Sequence, residues 1–257
     1  MKIAILYICT GKYTIFWEDF FHSCERYFFP TKEKRYFVFT DGKLVPSENS
    51  KIHRIEQKNL GWPGNTLYRF KMFWGIREQL DTFDYIFFFN ANCEFMAPIG
   101  SEFLPSIEEG IVVVRHPGFF EKTPDEVTYD RNPKSQAYIP LGQGSYYICG
   151  GINGGHTEDY LELIDTLNKA IELDDANGVL ALWHDESHIN KYITEHPHKL
   201  QSPSYCYPEG WNIPFEKIIL VRNKERYGGH DVLRGIKKAK KKGIISRIVS
   251  KLWWLKT

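Results

Sequence analysis

Apolar and polar positions along the chain follow two rhythms. Lys2–Cys9 is an apolar run with the length of a buried strand. Tyr13–Phe28 places Phe16, Phe20 and Tyr27 at helical spacing, with Trp17, Phe21 and Phe28 beside them, and Pro30 follows where a helix has ended. Arg35–Thr40 predicts a second strand that closes on the turn pair Asp41-Gly42, and Asn65–Leu80 a second helix. Tyr85–Phe89 is continuously apolar, as in a strand covered on both faces, and stops abruptly at Asn90-Ala91-Asn92. Ile111–Val114, Ser145–Cys149 and Ile218–Val221 predict further strands, and Glu158–Leu173 a further helix. This alternation, without an internal repeat, predicts one α/β domain.

Composition adds little until it is divided along the chain. Charged residues make up 25% and hydrophobic residues 42% of the 257, the balance of a globular protein rather than a disordered one. The net charge is +1, yet nine of the 33 Lys and Arg, and none of the 32 acids, lie from Val232 onward. A negative body therefore carries a strongly positive tail. Aromatics reach 16%, enough for both a core and stacking surfaces. No window approaches the length of a membrane-spanning helix, and the start reads as a first strand rather than a signal peptide. The five cysteines (9, 24, 93, 149, 206) are scattered with no C-x-x-C pair, which argues against a disulfide framework or zinc site and for a reducing cytoplasm.

Three segments could carry chemistry. Asn90-Ala91-Asn92 ends a central strand, where open α/β sheets bind ligands. Its two amides can hydrogen-bond a ribose or phosphate but bring no charge for Mg²⁺ or Mn²⁺; the simpler reading is a polar turn. Trp183-His184-Asp185-Glu186-Ser187-His188 sets two carboxylates side by side, suited to sugar hydroxyls and to positive charge at an anomeric carbon. The same segment also reads as an acidic N-terminal turn before a helix Ser187–Ile193. His184 and His188 stand at i, i+4, but the zinc-protease pattern needs Glu where Asp185 stands. Cys149-Gly150-Gly151-Ile152-Asn153-Gly154-Gly155 permits close backbone approach or simply a flexible turn, and it is not a dinucleotide fingerprint.

Taken in order and spacing, these segments resemble one family. Arg115-His116-Pro117-Gly118-Phe119-Phe120, Thr128-Tyr129-Asp130-Arg131, Ser135-Gln136-Ala137-Tyr138-Ile139-Pro140, the glycines around Ile152-Asn153, and Trp183-His184-Asp185-Glu186-Ser187-His188-Ile189-Asn190-Lys191-Tyr192 closely resemble glycosyltransferase family 6. That family holds the histo-blood-group A and B transferases and α1,3-galactosyltransferases. Phe37-Val38-Phe39-Thr40-Asp41 and Asp175-Ala176-Asn177-Gly178 also match. The resemblance implies a GT-A fold: a single α/β domain with a central mixed, mostly parallel sheet flanked by helices. It also implies a hexosyltransferase that retains anomeric configuration while moving a sugar from UDP to O3 of a galactose. The animal members carry D-x-D where this chain has Asn90-Ala91-Asn92, and they have a membrane anchor. Both departures resemble the bacterial branch, which works without metal, so no divalent cofactor is expected.

The resemblance also assigns residues. Thr10 and Tyr13 fall beside the uracil, and Arg69 falls close to the donor. Asn90 would face the ribose and Asn92 the diphosphate. His116, Thr128 and Trp183 match residues that hold the acceptor galactose. Asp185 would bind donor-sugar hydroxyls, and Glu186 matches the residue proposed as nucleophile or as electrostatic support for an oxocarbenium-like transition state. Lys224, Arg226 and Arg234 lie where the family closes basic residues over the diphosphate, a replacement for metal charge. Gly151 matches the glycine of the GalNAc-using enzyme and Cys149 the other donor-specificity position, so UDP-GalNAc is the expected donor. The expected acceptor is an α1,2-fucosylated, blood-group-like oligosaccharide. A UDP-Gal-using α1,3-galactosyltransferase and an inactive sugar-binding protein are the alternatives.

The catalytic domain is expected over 1–235 and a basic amphipathic tail over 236–257. Lys237-Lys238-Ala239-Lys240-Lys241-Lys242 precedes Ile244, Ile245, Ile248, Val249, Leu252 and Trp253, which form an apolar helical stripe. Basic residues beside paired tryptophans suit peripheral contact with an anionic membrane, on the inner face of a cytoplasmic location. Docking onto the acidic body is the alternative, and no nucleic-acid partner is expected.

Overall fold

The computed structural model describes residues 1–42 and 49–235; the expected tail, 236–257, lies outside the described residues. β1 (Lys2–Ile8) leads through a 3-10 turn, Gly11–Phe16, into α1 (Trp17–Tyr27). β2 (Glu33–Thr40) and β3 (Ile52–Glu56) follow, then three short helices: α2 (Gly61–Leu67), α3 (Arg69–Trp74) and α4 (Arg77–Leu80). β4 (Tyr85–Phe89), β5 (Cys93–Phe95), β6 (Ile111–Arg115) and β7 (Ile148–His156) precede the long α5 (Thr157–Ala176) and α6 (Asp185–Ile193). β8 (Lys199–Gln201), β9 (Tyr207–Pro208), β10 (Ile219–Val221) and α7 (Gly229–Leu233) complete the described chain.

Seven strands form one sheet in the order β3-β2-β1-β4-β7-β6-β8, and β5-β10-β9 form a small second sheet. The pairs from β3 to β4 are parallel, and β7 runs antiparallel to both β4 and β6. The architecture is that of a GT-A type single domain. Alternation along the central strands sorts the core into two layers. Ile3, Ile5 and Tyr7 face α1 through Trp17, Phe20 and Cys24, joined by Phe87 and Phe89. Ala4 and Leu6 face the other way, toward Phe70 and Phe73 of α3 and Tyr160, Leu163 and Leu167 of α5. From β1 the chain steps outward to β2 and β3, then returns to place β4 on the other side of β1. The strand order therefore reverses between β1 and β4, where doubly wound sheets open a crevice at their carboxyl ends.

Several elements differ from the sequence expectation. The aromatic stretch expected as one helix from Tyr13 starts as a 3-10 turn and becomes α-helical at Trp17. The helix expected over Asn65–Leu80 is broken, because Tyr68 (φ −95°, ψ 19°) and Ile76 (φ −119°, ψ 13°) leave helical geometry. The strand expected over Ser145–Cys149 begins at Ile148 and runs through the glycines to His156. Those glycines are a matter of space. A Cβ on Gly154 would meet Phe87 Cδ1 at 2.2 Å, and one on Gly155 would meet the Gly110 carbonyl at 2.4 Å. β4, built of large aromatics, can take only a slim neighbour at that register.

Candidate active site

A cavity of about 400 Å³ opens at the reversal point, walled by the ends of β1 and β4, the start of β7, the first turn of α6, and residues from α2 and α7. Its floor is pinned from the core. The buried Tyr7 hydroxyl donates to the Ala91 carbonyl at 2.8 Å, fixing the turn that presents Asn90 and Asn92. Asn90 N–H donates to the Gly151 carbonyl at 2.8 Å, which joins this turn to β7. Asn92 is buried, and its Nδ2 is committed to the Arg222 carbonyl at 2.8 Å, leaving Oδ1 as its available polar atom.

The acidic pair sits at the start of α6. His184 precedes it with φ 55° and ψ −127°, a left-handed conformation strained for a residue with a Cβ. That kink leaves Trp183 half-exposed at the rim and sends Asp185 into the interior at 1% exposure. Burial pushes Asp185 up to about 7, against the Arg69 guanidinium beside it, while the neighbouring Glu186 adds to the rise. Arg69 Nε lies 2.9 Å from Asp185 Oδ2. Its N–H directions nonetheless favour carbonyls, with Nη1 donating to Gly150 O at 2.8 Å and Nε to Thr66 O at 3.3 Å. Neither Asp185 oxygen therefore accepts an aligned hydrogen bond among the described residues. Buried acceptors without a donor are costly, and a ligand hydroxyl that reached this wall would satisfy them.

Glu186 is held instead. Oε1 accepts from the Tyr147 hydroxyl at 2.9 Å, and Oε2 accepts from the Gly150 N–H at 2.8 Å. The close approach of α6 to β7 needs Gly150, since a Cβ there would meet Glu186 Cβ at 3.0 Å. Lys224 and Arg234 line the same cavity, as does Arg69 beside Asp185. Burial, with Arg234 and Arg69 nearby, pushes Lys224 down to about 8. Lys224 Nζ lies 5.5 Å from the Tyr13 ring centroid, and Arg234 packs over Trp62 at 4.7 Å.

Of the residues singled out from sequence, Thr10, Tyr13, Arg69, Asn90, Asn92, Gly151, Trp183, Asp185, Glu186, Lys224 and Arg234 line this one cavity. Four are placed elsewhere. Arg226 is turned outward in an ion pair with Glu209. Cys149 lies in the core, its thiol pushed up by contact with the Cys206 thiol and by burial. His116 and Thr128 sit behind the wall. The His116 ring packs edge-on to Tyr147 at 5.8 Å, and the Thr128 hydroxyl lies against the Tyr147 hydroxyl. Both thus reach Glu186 through Tyr147. Sequence reasoning missed Tyr147 and Gly150, as well as Asn59, Trp62, Asn65 and Thr66 on the α2 side. The cis Trp62-Pro63 step and the Asn59–Asn65 hydrogen bond at 2.7 Å lie in a stretch with no apolar period to mark it.

Whether the site suits a divalent ion turns on its donors. Positions 90 and 92 offer amides, one already engaged, and the nearest buried carboxylate, Asp185, faces Arg69. No group of three or more His, Cys, Asp or Glu converges to hold an ion among the described residues. These residues do not fit a carboxylate-held cation.

Lys224, Arg234 and an Arg69–Asp185 pair beside Glu186 line a crevice at the strand reversal, the place where α/β folds bind ligands. The chain belongs to glycosyltransferase family 6, whose family model matches residues 1–234. It is 34% identical over 227 residues to the O-antigen biosynthesis glycosyltransferase WbnI of Escherichia coli, covering 88% of this chain and 96% of that protein. It is 32% identical to the histo-blood group ABO system transferase 1 of Rattus norvegicus, over 85% of this chain and 65% of that protein. With the globoside alpha-1,3-N-acetylgalactosaminyltransferase 1 of Gallus gallus it shares 31% identity, over 86% and 66%. The chain thus spans about two thirds of the length of these animal relatives. As a family member it is a glycosyltransferase, an enzyme class that takes a nucleotide-sugar donor and an oligosaccharide acceptor.

Proposed function

We propose that this chain is a retaining α1,3-glycosyltransferase that moves GalNAc from UDP-GalNAc to O3 of an acceptor galactose without a divalent cation. The observation that carries this reading is one cavity lined by Lys224, Arg234 and the Arg69–Asp185 pair, with Glu186 held between Tyr147 and Gly150. When the bond from anomeric C1 to UDP breaks, its electron pair leaves on the diphosphate, where three preorganised cations are placed to stabilise it. The positive charge left at C1 falls to Glu186, while Asp185 accepts hydrogen bonds from the donor-sugar hydroxyls. Acceptor O3 then bonds to C1 and gives its proton to the departing diphosphate oxygen.

Metal independence is supported by the amides at 90 and 92 and by the cations that stand in for metal charge. The relatives named for α1,3-N-acetylgalactosaminyl and blood-group transfer support the linkage. The donor reading rests on Gly151: a Cβ there would lie 2.2 Å from Asn90 Nδ2, so a larger residue would drive that amide into the cleft. The acceptor in this reading is an α1,2-fucosylated galactose, by analogy with the blood-group members of the family.

The test is UDP release from UDP-GalNAc and UDP-Gal with 2′-fucosyllactose, each in excess EDTA and in Mn²⁺. Acceptor-dependent turnover that EDTA leaves unchanged and that favours UDP-GalNAc is the expected result. Turnover only with Mn²⁺ overturns the metal-free reading, and higher kcat/KM with UDP-Gal overturns the donor.

A further inference from the structure

β7 starts beyond the end of the strand that should cover it. Its register with β4 reaches only to Ile152 opposite Phe89, and Asn90 N–H on the Gly151 carbonyl closes that ladder. Ile148 and Gly150 lie past this end, with β6 on their other side, where Arg115 pairs with Ile148. Both are buried, so the backbone groups that β4 leaves unpaired need other partners. Side chains of α6 supply them.

Asn190 takes the place of a strand residue opposite Ile148. Its Oδ1 accepts from the Ile148 N–H at 3.0 Å, and its Nδ2 donates to the Ile148 carbonyl at 3.0 Å. Nδ2 donates as well to the Glu186 carbonyl, one helical turn back, at 2.8 Å. An N–H faces the oxygen and two carbonyls face the nitrogen, so the amide has a single orientation. Asparagine is a poor helix former and its amide is costly to bury unpaired, yet this one has no exposure to solvent. Its three bonds offset that cost.

Glu186 makes the next contact along the same edge, Oε2 accepting from Gly150 N–H at 2.8 Å. Four residues of helix rise about 6 Å and two residues of strand span about 6.6 Å, so the pairs Asn190–Ile148 and Glu186–Gly150 run in step. A slip of α6 by one residue's rise, about 1.5 Å, would part both at once.

We propose that Asn190 is the positioning residue for Glu186: paired with Ile148 as a strand would be, its amide fixes the register of α6 on β7 and so delivers the carboxylate to Gly150 and Tyr147. The inference rests on the role given to Glu186 above. Asp185 has a separate anchor in Arg69, so losing the Asn190 amide spares donor binding.

A double-mutant cycle of Asn190→Ala and Glu186→Gln tests it, by UDP-GalNAc turnover with 2′-fucosyllactose and with kcat counted per UDP-binding site, so that unfolded protein drops out. Alone, Asn190→Ala should lower kcat about tenfold or more, with donor KM within about twofold of wild type. In the Glu186→Gln background the same change should cost less than about threefold, because no carboxylate is left to position. Asn190→Ser keeps a hydroxyl for Ile148 and should lose less; it is read in the same cycle where Asn190→Ala does not fold. Equal losses in both backgrounds, a donor KM that rises as kcat falls, or wild-type kcat in the single variant would overturn the positioning role. Wild-type kcat in Glu186→Gln would instead overturn the role of Glu186 itself, and this inference with it.

Discussion

The Tyr147 hydroxyl donates to Glu186 Oε1 at 2.9 Å from a position with no exposure to solvent. Burial and the adjacent carboxylate both push the phenol upward, so it remains a donor across the accessible pH range. With Gly150 N–H on the other oxygen, the carboxylate has one orientation. Glu186→Gln should therefore lower kcat by about a hundredfold or more while UDP still binds. Tyr147→Phe keeps the ring and removes the donor; kcat should fall roughly tenfold to a hundredfold with little change in donor KM. Steady-state kinetics on both variants, with UDP titration as a control, checks the pair. Wild-type kcat in Tyr147→Phe would mean that Gly150 alone orients the carboxylate.

Lys224 gives the site a pH limit. Its ammonium, held down to about 8, is charged at neutral pH and is lost as pH rises through that value. A bound diphosphate favours the charged form, so UDP affinity should weaken roughly tenfold as pH rises well above 8. Lys224→Met should bind UDP more weakly at neutral pH and show a flat profile over the same range. Calorimetric titration of both proteins separates the two shapes.

Asp185 acts on stability rather than on affinity. Its folded-state value, about 7, stands above the 3.8 of a free side chain, so the native state binds the extra proton. The contribution of that proton is present at acid pH and is lost as pH rises from about 4 through 7. The whole effect is on the order of a few kcal/mol, reduced by the opposing pull of Arg69. Asp185→Asn should flatten the dependence of Tm on pH in this window while lowering kcat. An unchanged slope would place the titration on other groups.

Gly151 and Asn90 make a coupled prediction about the donor. Gly151→Ser forces the Asn90 amide aside, because the new Cβ would otherwise lie 2.2 Å from Nδ2. The ratio of kcat/KM for UDP-GalNAc over UDP-Gal should fall about tenfold, the scale of a small group lost from or added to a pocket. An unchanged ratio would remove position 151 from donor choice.

What the sequence made legible was what hydrophobic periodicity encodes. β1, β4 and α5 were plain in the runs Lys2–Ile8, Tyr85–Phe89 and Thr157–Ala176, because each is buried by a strong local pattern. β7 was hidden, since its glycines answer to the bulk of Phe87 and the approach of Glu186, neighbours far away in the chain. The strands β5, β8 and β9 carry too few residues for a period to register, and in β3 the two isoleucines, Ile52 and Ile55, fall out of strand alternation. Half of the cavity wall was found through the family resemblance, residue by residue. Tyr147 escaped because it lies in the aromatic stretch Tyr146-Tyr147-Ile148, which reads as core, and a backbone donor such as Gly150 N–H leaves no side-chain signature. Cys149, by contrast, has the right position in the chain, but its side chain is buried in the core against Cys206 and does not line the cavity.

The cavity draws its walls from distant parts of the chain. Thr10 and Tyr13 follow the first strand, whereas Lys224 and Arg234 arrive with the last described elements. The two parts touch directly where Tyr227 meets Phe16 edge-on at 4.6 Å, and where Arg222 pairs with Asp19 of α1. A nucleotide lying between them works as a clasp. By linkage, a nucleotide bound there stabilises the contact between the two ends of the chain by as much as that contact strengthens its binding.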